Sequence, residues 1–448
     1  MGCKRSQQRW HNNWHPQILE NNEMARIVVT TFGSTGDLNP FIALGLALRS
    51  NRHNVLFAVE ANFQQQVSLL GFPVRVLTGD QAEALGPYSH QIFNSDQPLT
   101  SLKLLLDRYI LPTLPTKVAE LREICQQADL LISVAPQFAA SIVADLLHIP
   151  WISVVLTPST LPSTSIAAQP ISVQLPAFLQ PWSNRFSWFV GGMFLRQIVD
   201  RPVNQVRRSF HVPPRSNLMW TGNLSPQFTA LAVSSALVPR PDDWPQYVQM
   251  TGFCFWDGSA DWQFPEALKS FLHGDKPVVA VTAGSVAPEE RALFVAYYQT
   301  SIESILACGA RALVINAPEN TIFPEHREDV LQVSFAPFSE VFPACAAVIH
   351  HGGIGTIAQC LRAGVPSLVV PGGMDQPFNA AQVVQCKAGM WIPRKRYTAR
   401  RAEKALKALL STPTYQEHAR KIQAQIIQED GVATFCTAVE QVLRDSST

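Results

Sequence analysis

The residues whose types and spacing are best suited to binding or catalysis lie in a short glycine-rich segment, 350–356. It reads His-His-Gly-Gly-Ile-Gly-Thr. An apolar run, 346–349, precedes this segment and a helix-like run, 357–363, follows it. Glycines let the backbone approach a phosphate closely, and the free N–H groups of a helix's first turn point towards such an anion. The pattern therefore predicts a diphosphate site to which at least one histidine donates a hydrogen bond.

A second loop follows after the apolar run 365–370 and reads Pro-Gly-Gly-Met-Asp-Gln over residues 371–376. The carboxylate of Asp375 and the amide of Gln376 suit the hydroxyl groups of a sugar. Because this loop comes directly after the predicted phosphate site, the two together indicate a nucleotide-sugar ligand.

A third loop, Gly-Ser-Thr-Gly-Asp over residues 33–37, opens directly after the first predicted strand, 26–31. In open α/β sheets ligands bind at the carboxyl ends of the strands, so Asp37 is predicted to face a cleft. Its carboxylate could accept a proton from an attacking hydroxyl group. A structural aspartate at a turn or helix start is the alternative interpretation.

Further candidates come from the second half of the chain. Ser285, which follows Gly284 after the predicted strand 277–282, would offer a hydroxyl and a backbone N–H to the same phosphates, although a simple strand-exit turn is equally compatible. Phe335 precedes the phosphate segment and could stack on a base, whereas core packing is the commoner fate of a lone phenylalanine. Since no D-x-D motif occurs, the sequence does not suggest a metal-chelated diphosphate.

The phosphate segment also matches the dinucleotide fingerprint G-x-G-x-x-A over residues 353–358, which is typical of NAD-dependent oxidoreductases. In that fingerprint an acidic residue caps the following strand and binds the ribose. Asp375 lies several residues beyond the predicted strand 368–370, after a Gly-Gly turn. The nucleotide-sugar interpretation is therefore favoured.

Composition restricts the class of protein. The 448 residues are 47% hydrophobic and 15% charged, and the net charge is +1, so no global field recruits nucleic acid. The eight cysteines are scattered without zinc-site or C-x-x-C spacing, which predicts reduced, mostly buried thiols in a cytoplasmic protein. No apolar run is long enough to span a membrane.

Strands and helices alternate along the chain, which predicts an α/β fold with doubly wound parallel sheets. We expect a loop over 33–39 and a first helix that starts at Pro40. The predicted organisation, in chain order, is a disordered leader (1–24), an N-terminal domain (25–237), a linker (238–250), a C-terminal domain (251–425) and a C-terminal helix that packs back on the first domain (426–448). Lipidation at Gly2 is an alternative function for the leader.

Residues 157–200 interrupt this alternation with many prolines, serines and aromatic residues. Arginines follow at positions 196, 201, 207 and 208. The segment could form a lipophilic acceptor groove or a surface that touches a membrane. An ordinary packed excursion of the first domain is the alternative.

Five segments of the chain together resemble the GT-B glycosyltransferases of family 1. They are the loop 33–40, Thr251-Gly252-Phe253, the segment 350–356, Leu361-Arg362-Ala363-Gly364-Val365-Pro366 and the loop 371–377. The similarity extends over roughly residues 25–440 and is strongest to sterol glucosyltransferases and to bacterial enzymes that glycosylate antibiotics. It implies two Rossmann-like domains that face a central cleft, with the donor in the second domain and the acceptor in the first.

The resemblance also implies roles for individual residues. Asp37 matches the general base of the sterol and glycopeptide branches, and Asp375 and Gln376 match the pair that holds the donor sugar. Residues that match contacts to the donor diphosphate are Gly284, Ser285, His351, Gly353, Gly355 and Thr356. Three further residues match nucleoside-binding positions. Phe335 stands where many relatives carry tryptophan, and Phe338 where they commonly carry glutamine. Gln359 stands where plant relatives carry a ribose-binding glutamate.

The function that this resemblance implies is inverting, metal-independent transfer of a hexose, with glucose the expected sugar, from a UDP-sugar to a lipophilic acceptor. The acceptor would be a sterol, carotenoid, polyketide or lipid. No cofactor is expected, dTDP is the alternative nucleotide, and peripheral membrane contact of a cytoplasmic protein is expected from the aromatic segment. A nucleotide-sugar epimerase, an NAD-dependent oxidoreductase and a non-enzymatic nucleotide-sugar-binding regulator are the competing hypotheses.

Overall fold

A computed structural model of the chain describes residues 24–88, 91, 98–168, 176, 178–260, 262–285, 288–318 and 328–447. The predicted leader 1–24 therefore lies outside the described residues except for Met24, and so does the proposed lipidation at Gly2.

The first sheet is parallel and, in the described part of the chain, has the strand order β3-β2-β1-β4-β5-β6-β7. Its strands are β1 (Arg26–Thr30), β2 (Asn54–Glu60), β3 (Val74–Leu77), β4 (Leu130–Val134), β5 (Trp151–Val155), β6 (Phe228–Leu231) and β7 (Val248–Met250). The central strands are apolar and buried on both faces, as expected for a parallel sheet covered by helices. The strand order reverses between β1 and β4, which creates a crevice where the loop after β1 ends.

Helices cover both faces of this sheet. They are α1 (Thr35–Ser50), α2 (Ala61–Leu69), α3 (Gln81–Leu85), α4 (Pro98–Leu105), α5 (Leu111–Ile124), α6 (Phe138–Leu147), α7 (Gln180–Leu195) and α8 (Arg201–Ser209). Two π-helical segments, Leu106–Ile110 and Arg196–Asp200, connect α4 to α5 and α7 to α8. The alternation predicted for the first domain is confirmed.

The prediction that the first helix starts at Pro40 was wrong. Helix α1 begins at Thr35 because Ser34 occupies the N-cap position and the side chain of Asp37 reaches back to it. Asp37 Oδ2 accepts hydrogen bonds from Ser34 N at 2.7 Å and Ser34 Oγ at 2.9 Å. Pro40 lies inside the helix, where it donates no backbone hydrogen bond and its ring crowds the carbonyl group one turn earlier.

The second sheet, also parallel, has the order β10-β9-β8-β11-β12-β13 among the residues described. Its strands are β8 (Val278–Thr282), β9 (Arg311–Ile315), β10 (Val330–Val333), β11 (Ala347–His350), β12 (Ser367–Val369) and β13 (Gly389–Trp391). The following helices are α9 (Glu266–Leu272), α10 (Val295–Ala307), α11 (Phe338–Val341), α12 (Ile354–Ala363), α13 (Gln376–Gln385), α14 (Ala399–Ser411), α15 (Pro413–Ile426) and α16 (Gly431–Ser447). Its order reverses between β8 and β11, so the loops with Gly284 and His351 end at one crevice.

Two features join the domains. An apolar core contains Val155 and Leu231 of the first domain together with Ile357 and Phe378 of the second. Helix α16 then packs back against α1, and His53 Nε2 lies 2.8 Å from Glu440 Oε1 in a buried contact. β7 lies within the predicted linker 238–250 and extends the first sheet.

Helix α7 occupies much of the predicted aromatic excursion; residues 169–175 and 177 of that excursion lie outside the described part. One side of α7 is buried, where Trp188 Nε1 donates to Ile166 O at 2.6 Å and the Trp188 ring meets Trp220 edge-on. The opposite side forms an exposed stripe at helical spacing: Phe178 (75% exposed), Trp182 (70%), Phe186 (64%) and Phe189 (66%). We call these four residues the aromatic stripe.

The described cysteines, which include all but Cys3, are free, and most are buried, as predicted. Burial raises the pKa of the Cys345 thiol to about 12 and that of Cys360 to about 12, so these thiols are protonated at neutral pH. None of the described helices has the length and apolar character needed to cross a bilayer.

Helix α16 contributes fully buried side chains to the first domain's core, among them Phe435. We expect Phe435→Ala to lower the free energy of unfolding by about 3–5 kcal/mol, because the vacated volume cannot be refilled by solvent. Denaturant unfolding followed by tryptophan fluorescence measures this. Thr437→Ala, on the exposed side of the same helix, is the control, with an expected change of about 0.5 kcal/mol or less. Equal effects of the two substitutions would contradict the packing of α16 on the first domain.

Candidate functional site

Asp37 is the first-domain residue at the reversal point of the first sheet. Gly33, with φ 112°, must be glycine, because a Cβ at that position would lie 2.5 Å from Asp37 Oδ2. Burial raises the pKa of Asp37, while the two hydrogen bonds from Ser34 oppose this shift. The carboxylate is therefore both a helix-start residue and a stronger proton acceptor than an ordinary aspartate.

His351 lies between two glycines that come from different loops. A Cβ on Gly284 would meet His351 Cε1 at 2.3 Å, and a Cβ on Gly353 would meet His351 Nε2 at 2.5 Å. Glycine at these two positions therefore makes room for the imidazole ring. The predicted phosphate residues Gly284, His351 and Gly353 are thus brought together.

The adjacent histidines differ in position. His350 is the last residue of β11 and fully buried; its Nδ1 accepts a hydrogen bond from Gly352 N at 3.1 Å, so Nε2 carries the proton. Burial lowers the pKa of His350 to about 3 and, together with the nearby charge of Arg394, that of His351 to about 4. Both rings are therefore neutral at physiological pH and offer N–H donors without a full positive charge.

The remaining diphosphate candidates surround His351. Helix α12 has Gly353 at its N-cap, and Gly355 stands in its first turn with open space where a side chain would be. Thr356 is buried beside it, and Ser285 is exposed after Gly284. The first-turn N–H groups of a helix have no intrahelical partner, so this end of α12 is suited to an anion.

Asp375 and Gln376 lie at the start of α13, on the other side of the same loops. Asp375 Oδ2 accepts a hydrogen bond from Asn379 Nδ2 at 2.8 Å, and the same nitrogen lies 3.1 Å from Gly352 O in the phosphate loop. Gln376 Oε1 accepts from Gly372 N at 2.9 Å, which leaves the amide nitrogen as its donor. Asn379 thus connects the predicted sugar residues with the phosphate loop.

The two cleft carboxylates influence each other across the domains. Burial raises the pKa of Asp375 to about 6, the hydrogen bond from Asn379 opposes the shift, and the negative charge of Asp37 adds to it. Thr157 Oγ1 of the first domain also reaches Asn379 Oδ1 at 3.4 Å. Asp37 and Asp375 therefore lie near each other where the two domains meet.

The three residues predicted to bind the nucleoside, Phe335, Phe338 and Gln359, differ in their exposure and contacts. Phe335 is 57% exposed, so one face of its ring is free. Phe338 stacks on Phe342 with ring centroids 4.4 Å apart, which places it in the packing of α11. Gln359 is buried on α12, and its Nε2 donates to Asp257 Oδ2 at 3.3 Å.

Sequence reasoning missed Thr157, Asp257, Asn379 and Arg394 around this site, and also Glu60 at the end of the neighbouring strand β2. Asn379 was detectable in principle, because it stands four residues after Asp375 on one helix face. Glu60 ends β2 as a buried carboxylate that accepts from Lys117 Nζ at 2.7 Å and from the Tyr109 hydroxyl. No motif signals a contact of that kind, since it depends on how α5 packs on the sheet.

The arrangement brings the raised-pKa carboxylates of Asp37 and Asp375 near a helix N-terminus that is suited to an anion. Within the described residues no group of three His, Cys, Asp or Glu side chains is arranged to hold a metal ion.

Comparison with known proteins supports this interpretation. Residues 312–439 match the model of the erythromycin biosynthesis protein CIII-like C-terminal domain. The chain is 28% identical to O-mycaminosyltylonolide 6-deoxyallosyltransferase of Streptomyces fradiae, over 93% of this chain and 97% of that enzyme. It is also 28% identical to sterol 3-beta-glucosyltransferase of Candida albicans, over 94% of this chain, but it spans only 28% of that longer protein.

Solved structures show the same architecture. The kitacinnamycin glycosyltransferase aligns over 94% of this chain and 100% of its own, with a TM-score of 0.72 and 20% sequence identity. The glycosyltransferase VinC, solved in complex with dTDP, aligns over 94% of this chain and 100% of its own, with a TM-score of 0.68 and 18% identity. The chain therefore has the two parallel-sheet domains of the GT-B fold, and residues 312–439 of its second domain resemble the erythromycin biosynthesis protein CIII-like C-terminal domain.

Proposed function

We propose that the protein transfers a hexose, with glucose as the first candidate, from a UDP-sugar to a hydroxyl group of a lipophilic acceptor. The observation that carries this proposal is that Asp37 and Asp375, from opposite domains, lie close enough for the charge of one to raise the pKa of the other, while Thr157 of the first domain reaches Asn379 beside Asp375. Asp375 adjoins the phosphate loop through Asn379, so a sugar held by Asp375 would lie between the phosphates and Asp37.

In the proposed reaction Asp37 accepts the proton of the acceptor hydroxyl. The hydroxyl oxygen forms a bond to the anomeric carbon while the bond from that carbon to the diphosphate oxygen breaks. The nucleoside diphosphate leaves towards the N-terminus of α12. Because attack and departure occur on opposite faces, an α-linked donor gives a β-glycoside.

We propose that the leaving diphosphate is stabilised without a metal ion. The first-turn N–H groups of α12 and the positive end of its dipole favour the developing negative charge. The neutral His351 ring adds a hydrogen-bond donor, and Ser285 offers a hydroxyl. Arg394 lies close enough to His351 to lower its pKa and adds positive potential to the site.

A lipophilic acceptor is supported by the first-domain side of the cleft and by the relatives. Phe32, next to the Asp37 loop, packs near Tyr109 in an apolar cluster that includes Leu85. One relative is named for a macrolide acceptor and others for sterols. We therefore propose a sterol, carotenoid, polyketide or lipid as the acceptor class.

Contact with a membrane surface is supported by the aromatic stripe on α7. The neighbouring exposed charges are all positive: Arg185, Arg196, Arg201 and Arg208. Asp200, the acid of this helical run, is buried and accepts hydrogen bonds from Asn217 N and Leu218 N. Aromatic residues beside arginines are typical of helices that lie in the interface of anionic bilayers.

The donor is tested by thermal shift with UDP, dTDP, GDP, NAD and their common sugar conjugates. We expect UDP and UDP-sugars to raise the unfolding midpoint, because a ligand that binds only the folded state stabilises it by about 2.7 kcal/mol at a hundredfold excess over its Kd. His351→Ala should abolish the shift, whereas His273→Ala, at an exposed position, should keep it. A shift with NAD and none with any nucleotide sugar would support an oxidoreductase instead.

The role of Asp37 is tested by Asp37→Asn, which keeps a side chain able to cap α1. We expect transfer to a sterol or macrolide aglycone, followed by mass spectrometry, to fall about 10²- to 10⁴-fold with donor affinity unchanged. A variant that retains most of its turnover would remove Asp37 from this role. Consumption of the UDP-sugar by the unchanged enzyme without any glycoside would favour an epimerase, and binding without turnover a regulator.

The pH dependence of kcat/KM provides a second test of the proposed role of Asp37. Asp37 must be ionised to accept a proton, so activity should fall as the pH drops through its raised pKa. Ser34→Ala removes a hydrogen bond that lowers this pKa, so the acid limb of kcat/KM should move to higher pH while transfer persists.

Membrane contact is tested by co-sedimentation with vesicles that contain anionic lipid. We expect the unchanged protein to pellet, with less binding at high salt because the arginine contribution is screened. Changing the four residues of the aromatic stripe to serine should abolish binding. The control variant changes Leu69, Val384 and Ile427, exposed apolar residues elsewhere, to serine. Equal sedimentation of both variants would refute a specific role of the stripe.

A further inference from the structure

Three buried polar side chains meet at the carboxyl end of β2 and take no part in the proposed reaction. Glu60, the last residue of β2, is 2% exposed, Lys117 of α5 is 4% exposed and Tyr109 is 1% exposed. Glu60 Oε1 accepts hydrogen bonds from Lys117 Nζ at 2.7 Å and from the Tyr109 hydroxyl. Burial raises the pKa of Tyr109 and the charge of Glu60 adds to this, so the phenol keeps its proton and acts as a donor. We call these three residues the polar triad.

The second carboxylate oxygen of Glu60 is left without a partner. Oε2 is buried and accepts no hydrogen bond from the described residues. A buried ion pair is favourable only when its remaining lone pairs are also satisfied, and an unpaired buried acceptor is costly. The ammonium group of Lys117 already balances the charge of Glu60, and it donates to Oε1 rather than Oε2. The missing partner is therefore a neutral donor, such as a hydroxyl group, and not a cation.

Two neighbouring strand ends carry unpaired hydroxyl groups on the same face of the sheet. Thr30 of β1 and Ser133 of β4 are fully buried, and neither hydroxyl oxygen has a partner among the described residues. Thr30 pairs with both Ser133 and Ala58, and Glu60 follows Ala58 by two residues, so the three polar side chains share one face. Unsatisfied polar groups thus gather where β2, β1 and β4 end, beside the reversal point at which ligands of such sheets bind.

The polar triad adjoins the Asp37 loop through one aromatic side chain. Phe32 directly precedes Gly33, the residue that packs against the Asp37 carboxylate. The Phe32 ring centroid lies 6.3 Å from that of Tyr109, in the apolar cluster described above. Phe32 is only half-buried and therefore forms the wall between the proton acceptor and the triad.

Resting on the proposed function, we propose that the polar triad binds a second hydroxyl group of the acceptor. The reacting hydroxyl lies at Asp37, the apolar skeleton packs against Phe32, and the second hydroxyl donates to Glu60 Oε2. Rotation of the half-buried Phe32 ring gives the acceptor access to the triad. Among the acceptor classes proposed above, this favours polyketides with several hydroxyl groups over sterols with a single one.

The test compares two pairs of acceptors whose members differ in a single hydroxyl group. One pair is androstenediol and the matching androstenol, and the other is a macrolactone aglycone and its methyl ether at a hydroxyl remote from the reacting one. We expect kcat/KM to be roughly ten- to a hundredfold higher for the free hydroxyl in at least one pair, because a hydrogen bond to a carboxylate is charge-assisted.

The variant that tests the triad changes Glu60→Leu together with Lys117→Met, which leaves no unpaired buried charge. The preference should fall to about threefold or less. The matched control, Lys103→Met with Asp107→Asn, removes an exposed ion pair close by in the chain and should leave the ratio unchanged. If the first variant does not fold, Glu60→Gln replaces it, because it exchanges the accepting oxygen for a donor at nearly constant size, and the preference should again fall.

Two results would overturn the inference. One is equal kcat/KM within both pairs for the unchanged protein. The other is a preference that persists in the triad variant at an unchanged melting temperature. If none of the four compounds is glycosylated, the inference falls together with the proposed acceptor class, and only the additional absence of any thermal shift with nucleotide sugars would overturn the proposed transfer itself.

Discussion

The cleft depends on an apolar core that both domains share. Side chains of β5 and β6 in the first domain pack with Ile357 and Leu361 of α12 and with Phe378 of α13. The helix whose N-terminus faces the anion site is therefore held by one flank against the other domain. Domains of one chain commonly move relative to each other unless their interface is large and apolar. This shared core keeps the carboxylates of Asp37 and Asp375 within electrostatic reach.

A second constraint acts at the proposed donor site, where the imidazole ring of His351 occupies the space that side chains at positions 284 and 353 would need. Because Gly284 and Gly353 come from different strand ends, the ring can lie there only when β8 and β11 are in register. Any larger residue at either position would displace the ring from the mouth of α12. The glycine-rich pattern thus reflects packing around a histidine as much as access for phosphate.

Much of the fold was predictable because parallel strands in this chain are short apolar runs, each followed by a loop and a helix. The glycine and histidine pattern likewise predicted which residues meet at the phosphate loop. The start of α1 was missed because Pro40 is a stronger sequence signal than the Ser34–Asp37 contact that actually begins the helix. Asp257 was missed because its partners, Ser339 and Gln359, lie far along the chain. Asn379 was missed although its spacing from Asp375 made it detectable, because its contacts to Gly352 and Thr157 depend on tertiary packing. The exposure of the aromatic stripe could not be predicted, since spacing alone does not tell which side of an amphipathic segment is covered.

The return of α16 to the first domain has a consequence for the order of folding. The core against α1 includes Phe435 and Val439, which are synthesised long after the strands that surround them. Domains generally fold as units as they leave the ribosome, the N-terminal one first. Here the first sheet can form early, but its outer helix α1 stays without its apolar cover until residues 431–447 have emerged. The surface exposed during that interval is an apolar helix face rather than an unpaired strand edge. The partly synthesised chain would therefore aggregate through hydrophobic association and not through the addition of strands.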